Sequence, residues 1–208
     1  MDLNIIDISR DLLRCEVYPG DPAPQLSLLS GMVRGDACNT AQLCASLHAG
    51  THADAPLHFI ENGAPINCVP LDAFIGECVV VECSPGLITG ETVNSDFPKN
   101  AKRILVKSNG KAFFDVTAAE ELAFSGLQLI GTDAMSVGAL GNEAPAHKGF
   151  LREGTAILEN LDLSKVRPGK YFLFAPPVKI GGVEAAPCRA VLIDGYIFWG
   201  GQKANGFV

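Results

Sequence analysis

Positive charge is scarce in this chain. Sixteen Lys and Arg stand against 23 Asp and Glu, giving a net charge of −7 and a pI near 5.0. No basic stripe is present to meet phosphates, which argues against a nucleic-acid partner. Long apolar runs are missing too. None approaches the roughly 20 residues that a membrane helix needs, so no membrane partner is expected. Met1 is followed by Asp2, with neither a basic nor an apolar leader region behind it, so no signal peptide is expected. The seven cysteines are odd in number, scattered, and never spaced Cys-x-x-Cys. A zinc ribbon, a thioredoxin-type pair and a disulfide framework are therefore unsupported. Buried, reduced thiols in a cytoplasmic protein are the expectation. A dinucleotide fingerprint and a Gly-x-Ser-x-Gly elbow are lacking, and Ser108-Asn109-Gly110-Lys111 does not have the spacing of a phosphate-binding loop.

What is there fits one folded domain over residues 1–208. Hydrophobic content is 48% and charged content 19%, ample for a sizeable core. Residues 4–9 read as a first strand. A turn-rich loop follows over 16–22, with Tyr18 as its one aromatic, a surface tyrosine by sequence alone. Residues 40–47 read as a strand delivering His48. The stretch 59–70 is loop-like, and 71–74 is a short turn or helix. Residues 76–83, with three consecutive valines, read as a buried strand. A short helix is expected over 88–93 and a strand over 103–107. Thr117 with Glu120 looks like a capping box opening a helix over 116–124. Residues 127–131 form a strand with Asp133 just past its end. Strand ends facing loops are where α/β proteins put ligand chemistry, so Asp133 either supports a site or caps the next turn.

Residues 144–147 read as a turn into a short helix that stops at Arg152-Glu153-Gly154. Residues 155–161 alternate as a strand with Thr155, Ile157, Glu159 and Leu161 on one face. Both faces are apolar, so periodicity leaves open whether Glu159 is buried or faces solvent. Burial would be costly without a partner. A strand over 170–174, a rigid glycine-ended loop to 182 and a final strand over 186–193 complete the chain.

Three of the four histidines fall in one stretch, His48 to Phe59, together with Asp54. A helix would place His48 and His52 about 40° apart but turn Asp54 away. A flat strand would set the two histidines roughly 13 Å apart, too far to share an ion about 2.1 Å from each. If they share one, the segment must curl. Gly50 permits an unusual backbone angle, and Pro56 pushes Ala55 extended. Neutral imidazoles, a carboxylate and small spacers have the composition of a metal cradle.

This stretch resembles the His-x-Gly-Thr-His-x-Asp-x-Pro-x-His-Phe signature of the cyclase family of metal-dependent hydrolases, which includes the bacterial kynurenine formamidases and the isatin hydrolases. The match is complete across the motif, good around 127–200 and loose between 84 and 126. The resemblance implies an α/β fold with a mixed-sheet, barrel-like core and flanking helices, of the swivelling β/β/α kind. It implies homo-oligomers, dimers or tetramers. It further implies two divalent metal ions. His48, His52 and Asp54 would hold one, and Asp54 would bridge to a second held by His147 and Glu159. A nitrogen-and-oxygen set without thiolate suits zinc or manganese. His58 matches the family's catalytic histidine, a proton carrier for the leaving nitrogen. Tyr18 stands where many kynurenine formamidases carry a tryptophan that stacks on the substrate, so an aromatic face is kept. With every histidine so assigned, a serine or cysteine nucleophile has no histidine base. The implied activity is hydrolysis of a small-molecule amide, of the arylformamidase type: N-formyl-L-kynurenine and water to L-kynurenine and formate. Hydrolysis of a cyclic amide, as by isatin hydrolase, is the alternative. A metal-dependent binding protein without turnover is another, against which an intact His58 argues.

Overall fold

The computed structural model describes residues 4–195. The elements follow in chain order as β1 (Asn4–Asp7), β2 (Gln25–Ser30), β3 (Thr40–Cys44), β4 (His52–Asp54), α1 (Leu71–Phe74), β5 (Ile75–Glu82), β6 (Gly86–Ile88) and α2 (Gly90–Asp96). Next come β7 (Arg103–Lys107), β8 (Ala112–Phe114), α3 (Val116–Phe124), β9 (Leu129–Thr132), α4 (Ala144–Arg152) and β10 (Ala156–Glu159). Last are β11 (Gly169–Phe174), β12 (Ala185–Pro187) and β13 (Val191–Asp194).

Nine strands make one sheet in the order β1-β13-β11-β5-β7-β9-β10-β4-β12. Its middle, β5-β7-β9-β10, is parallel. Both flanks are antiparallel. The parallel strands are buried on both faces, so their apolar residues run on without polar alternation. Successive residues still divide by period two. Ile104, Val106, Ile130 and Ile157 face a core shared with α2, α3 and α4. Leu105, Leu129, Ala156 and Leu158 face the other core. That second core joins residues from distant strands, among them Ala53, Leu173 and Leu192. The sheet therefore curls into a half-barrel around it, with the helices outside. Helices α3 and α4 approach closely, since a Cβ on Gly149 would lie 2.7 Å from the Ala119 Cβ.

Several sequence expectations need correction. The strand before His48 stops at Cys44, and it pairs only with β2, as a two-stranded hairpin apart from the main sheet. Helix α2 starts at Gly90, behind Thr89, whose side chain accepts from Thr92 N. Helix α3 is capped by Asp115, whose side chain accepts from Ala118 N, rather than by a Thr117–Glu120 box. Thr117 instead donates to Asp115. The final strand is two strands, β12 and β13, separated at Cys188–Ala190. Leu161 does not share a face with Ile157, because Asn160 adopts φ +57° and ends the alternation. All seven cysteines are free, yet Cys38, Cys44 and Cys68 are exposed and Cys78 alone is fully buried.

Candidate metal centre

The histidine motif is a turn followed by a very short strand. Ala49 N donates to Ser46 O at 3.1 Å, closing the turn that carries His48. Gly50 sits at φ +66°, and a Cβ there would lie 3.2 Å from Leu12 Cα. Glycine tolerates both conditions, and the curl is made at this residue. In β4 the side chains alternate, so His52 and Asp54 share a face while Ala53 enters the core. Ala55 is extended, at φ −106° and ψ 164°, as its proline neighbour requires. A 3-10 turn, Pro56–His58, then swings His58 back until its ring lies 4.3 Å from that of His48.

Strand β4 lies between β10 and β12. Glu159 stands opposite His52, and Ile157 opposite Asp54. Thr51 reinforces this seam by donating to Asn160 O at 2.6 Å. Glu159 and Ile157 face α4, which brings His147 down onto them. Glu159 is only 4% exposed and Asp54 fully buried. Histidine nitrogens surround both carboxylates at 3.1–3.7 Å.

Distances define the cluster. Asp54 Oδ1 lies 3.1 Å from His48 Nδ1 and 3.5 Å from His52 Nε2. Its other oxygen lies 3.7 Å from His147 Nε2. Glu159 divides similarly, with Oε2 3.4 Å from His52 Nε2 and Oε1 3.2 Å from His147 Nε2. Val137 N also donates to Glu159 Oε1, at 2.7 Å. Two sets have ligand atoms within 4.8 Å of one another: His48, Asp54 and His58, and His52, Asp54 and Glu159. Asp54 belongs to both. This grouping draws His58 toward the His48 side, where the resemblance gives it a proton-carrying role.

The site fits a divalent cation. His52 Nε2 and both Asp54 oxygens are buried without a hydrogen-bond partner. Such orphaned atoms are rare in native proteins and call for a reason; Asp54 Oδ1 faces His52 Nε2 and Oδ2 faces His147 Nε2. Burial disfavours charge on His52, but the Asp54 and Glu159 carboxylates outweigh it and push its pKa up to about 9. His147, also buried, is pushed up to about 10 by Asp54 and Glu159. Burial works against the Glu159 carboxylate as well, and Asp54 opposes it, yet His147 and His52 hold its pKa down at about 2. His58 differs: burial is the largest influence, and its pKa is lowered.

The cluster lies in a cleft of about 240 Å³ whose lining includes Tyr18, His58, Phe59, Met135 and Glu143. Tyr18 donates to Glu143. The seven residues to which the resemblance gives roles, Tyr18, His48, His52, Asp54, His58, His147 and Glu159, thus meet in one place. Asp133 does not join them. Its carboxylate accepts from Ser108 N and Oγ, Asn109 N and Gly110 N at 2.8–3.1 Å, which shapes the loop after β7. Glu143 and Glu184 went unnoticed in the sequence. Glu184 Oε1 lies 3.5 Å from His48 Nε2. Glu184 has no spacing signal, since it is brought in by strand pairing, whereas Glu143 lies one helical turn ahead of His147, at the start of α4.

A curled mixed sheet holding this nitrogen-and-oxygen cluster defines a metal-dependent hydrolase. A structure described as a predicted metal-dependent hydrolase from Bacillus stearothermophilus superposes with a TM-score of 0.80 at 26% identity, covering 93% of this chain and all of that one. The chain belongs to the cyclase family: the family model described as putative cyclase matches residues 6–139. A kynurenine formamidase of Erythrobacter litoralis is 36% identical over 202 residues, 90% of this chain and 93% of the relative. Isatin hydrolase A from Labrenzia aggregata shares the fold, with a TM-score of 0.79 at 22% identity over 92% of this chain and 93% of its own.

Proposed function

We propose that this chain is a binuclear-metal amide hydrolase that cleaves an aryl formamide, with N-formyl-L-kynurenine as the first substrate to try. The observation that carries the reading is Asp54, whose two oxygens face different histidines. His48, His52 and Asp54 would hold one divalent ion, and His147 and Glu159 a second, with Asp54 between them. When bound, such ions lower the pKa of water toward about 7 and polarise a carbonyl. The donor set suits zinc or manganese. The relatives named kynurenine formamidase support the substrate class.

The chain's own residues supply the rest. His58, its pKa lowered by burial, is neutral at pH 7 and can accept a proton from the attacking water. The water oxygen bonds to the formyl carbon, the carbon–nitrogen bond breaks, and His58 returns the proton to the leaving nitrogen. Tyr18 offers its ring face to a planar aryl group. Residues 1–208 would act as one domain.

A homo-oligomer, dimer or tetramer, is supported by the hairpin β2–β3, which leaves Leu26, Leu28, Leu29 and Leu43 exposed. A two-stranded ribbon is marginal by itself. A cytoplasmic location is supported by exposed free thiols, which persist in reducing compartments. Among the described residues, no helix is long and apolar enough to cross a membrane.

The test is hydrolysis of N-formyl-L-kynurenine against isatin and simple lactams, with zinc and manganese supplied in turn. Turnover of the formamide supports the reading, and turnover of isatin alone moves it to cyclic amides. Metal uptake with no hydrolysis of any of them sinks it in favour of a binding protein.

A further inference from the structure

Two of the histidines around Asp54 have one ring nitrogen tied to a backbone carbonyl. His52 Nδ1 donates to Gly50 O, and His147 Nδ1 to Glu143 O, both at 2.9 Å. A carbonyl oxygen only accepts, so both rings carry hydrogen on Nδ1 and turn Nε2 inward. His48 is reversed. Its Nδ1 faces Asp54 Oδ1 at 3.1 Å, and its Nε2 faces Glu184 Oε1 at 3.5 Å.

We infer that Glu184 is a positioning residue that holds His48 with its hydrogen on Nε2, so that Nδ1 is the nitrogen presented to the metal centre. This rests on the metal-site reading proposed above. An imidazole with no partner on its outer nitrogen is free to take either tautomer and to rotate. A carboxylate on that nitrogen fixes the ring and makes the inner nitrogen a better donor. His52 and His147 have backbone carbonyls for this at 2.9 Å, whereas the group facing the outer nitrogen of His48 is the Glu184 carboxylate, 3.5 Å away.

The backbone of Glu184 is registered to the motif it serves. Ala55 N donates to Glu184 O at 2.8 Å, and the next residue, Ala185, pairs with Asp54. The loop before it is tied down by Ile66 N donating to Val183 O at 2.9 Å and by Gly182 N donating to Asn67 Oδ1 at 2.9 Å. Its side chain is 37% exposed, so truncation removes little packing.

The experiment compares the native chain, Glu184→Gln and Glu184→Ala. Zinc and manganese affinities are measured by competition with a chromogenic chelator. Nitrogen NMR of histidine-labelled, zinc-loaded protein reads which ring nitrogen is bound, and thermal unfolding of the metal-free chains controls for folding. We expect Glu184→Ala to lose about 10–100-fold in affinity, as loss of such a partner typically does. Glu184→Gln, which keeps an acceptor, stays within a few-fold of native, with unfolding unchanged in both. His48 is bound through Nδ1, and His52 and His147 through Nε2. Native-like affinity in Glu184→Ala, or binding of His48 through Nε2, overturns the inference and leaves the metal site standing. Failure of the native chain to take up either ion overturns both.

Discussion

Tyr18 and Glu143, 125 positions apart in the chain, are joined by a hydrogen bond from the phenol to the carboxylate. Glu143 also accepts from Gly141 N on the same oxygen, and its backbone carbonyl holds His147 Nδ1. One residue therefore anchors both the aromatic wall of the cleft and a histidine of the cluster. Burial, followed by Glu143, pushes the Tyr18 pKa up to about 12. The phenol stays protonated at neutral pH and committed to Glu143, which leaves the ring face for the substrate contact proposed above.

Tyr18→Phe keeps that face and removes the tether. A hydrogen bond of this kind contributes about 0.5–1.5 kcal/mol net. KM for the aryl formamide should rise about 2–10-fold while kcat stays within about twofold. Tyr18→Ala, which removes the ring, should raise KM further. Steady-state kinetics on both variants decide this.

His58→Ala removes the group proposed above as the proton carrier. General acid–base catalysis typically supplies about 10²–10⁴-fold, so kcat should fall by that factor with native metal content. Elemental analysis is the second readout. Loss of one metal equivalent would instead make His58 a ligand, in keeping with its nearness to His48 and Asp54.

Metal loading should release protons. In the metal-free chain His52 and His147 are protonated at pH 7, with pKa values raised to about 9 and about 10. A metal needs the unprotonated nitrogen. Calorimetry in buffers of different ionisation enthalpy should show about two protons released per fully loaded chain at pH 7, about one for each ion, and tighter binding as pH rises to about 10. The metal-free fold responds oppositely. Raised folded-state pKa values stabilise it fully below about pH 6.5, the unfolded value, and that stabilisation is lost as pH climbs through 9–10. A flat melting temperature across this range would contradict the ion-pair geometry.

Asp133→Ala should damage the fold and spare the site. It strands the buried amide of Ser108 and the part-buried ones of Asn109 and Gly110, at about 1–3 kcal/mol for each donor left unsatisfied. A melting temperature lower by about 5–10 °C is expected, with metal affinity as in the native chain. Weakened metal binding at equal folding would show a link from this loop to the cluster.

The sequence was most legible where local chemistry and tertiary demand agree. The valine run of β5 and the apolar β7 could only be buried strands, and the curl at Gly50 follows from what a shared ion requires. Legibility failed where two local signals compete. Asp115 and Thr117 are both good capping residues two positions apart, and only the packing of α3 on α2 decides between them. Strand β2 was missed because its Leu-Ser-Leu-Leu-Ser run lies open to solvent on both faces, with no buried side to print a pattern. Glu159 was ambiguous because its strand is covered on both faces, and its partners, His52, His147 and Val137 N, all come from other parts of the chain. Glu184 meets His48 through a distant strand register that no local spacing encodes, and Glu143, though one helical turn ahead of His147, meets Tyr18 across 125 positions.

Strand β4 is only three residues long, and its neighbours on either side, β10 and β12, come from the last third of the polypeptide. While the ribosome is still making the middle of the chain, the histidine motif has already emerged with no wall on either flank. The histidine and carboxylate cluster therefore closes only once residues 156–187 are made, so a product truncated before them carries the full signature without the walls that gather it.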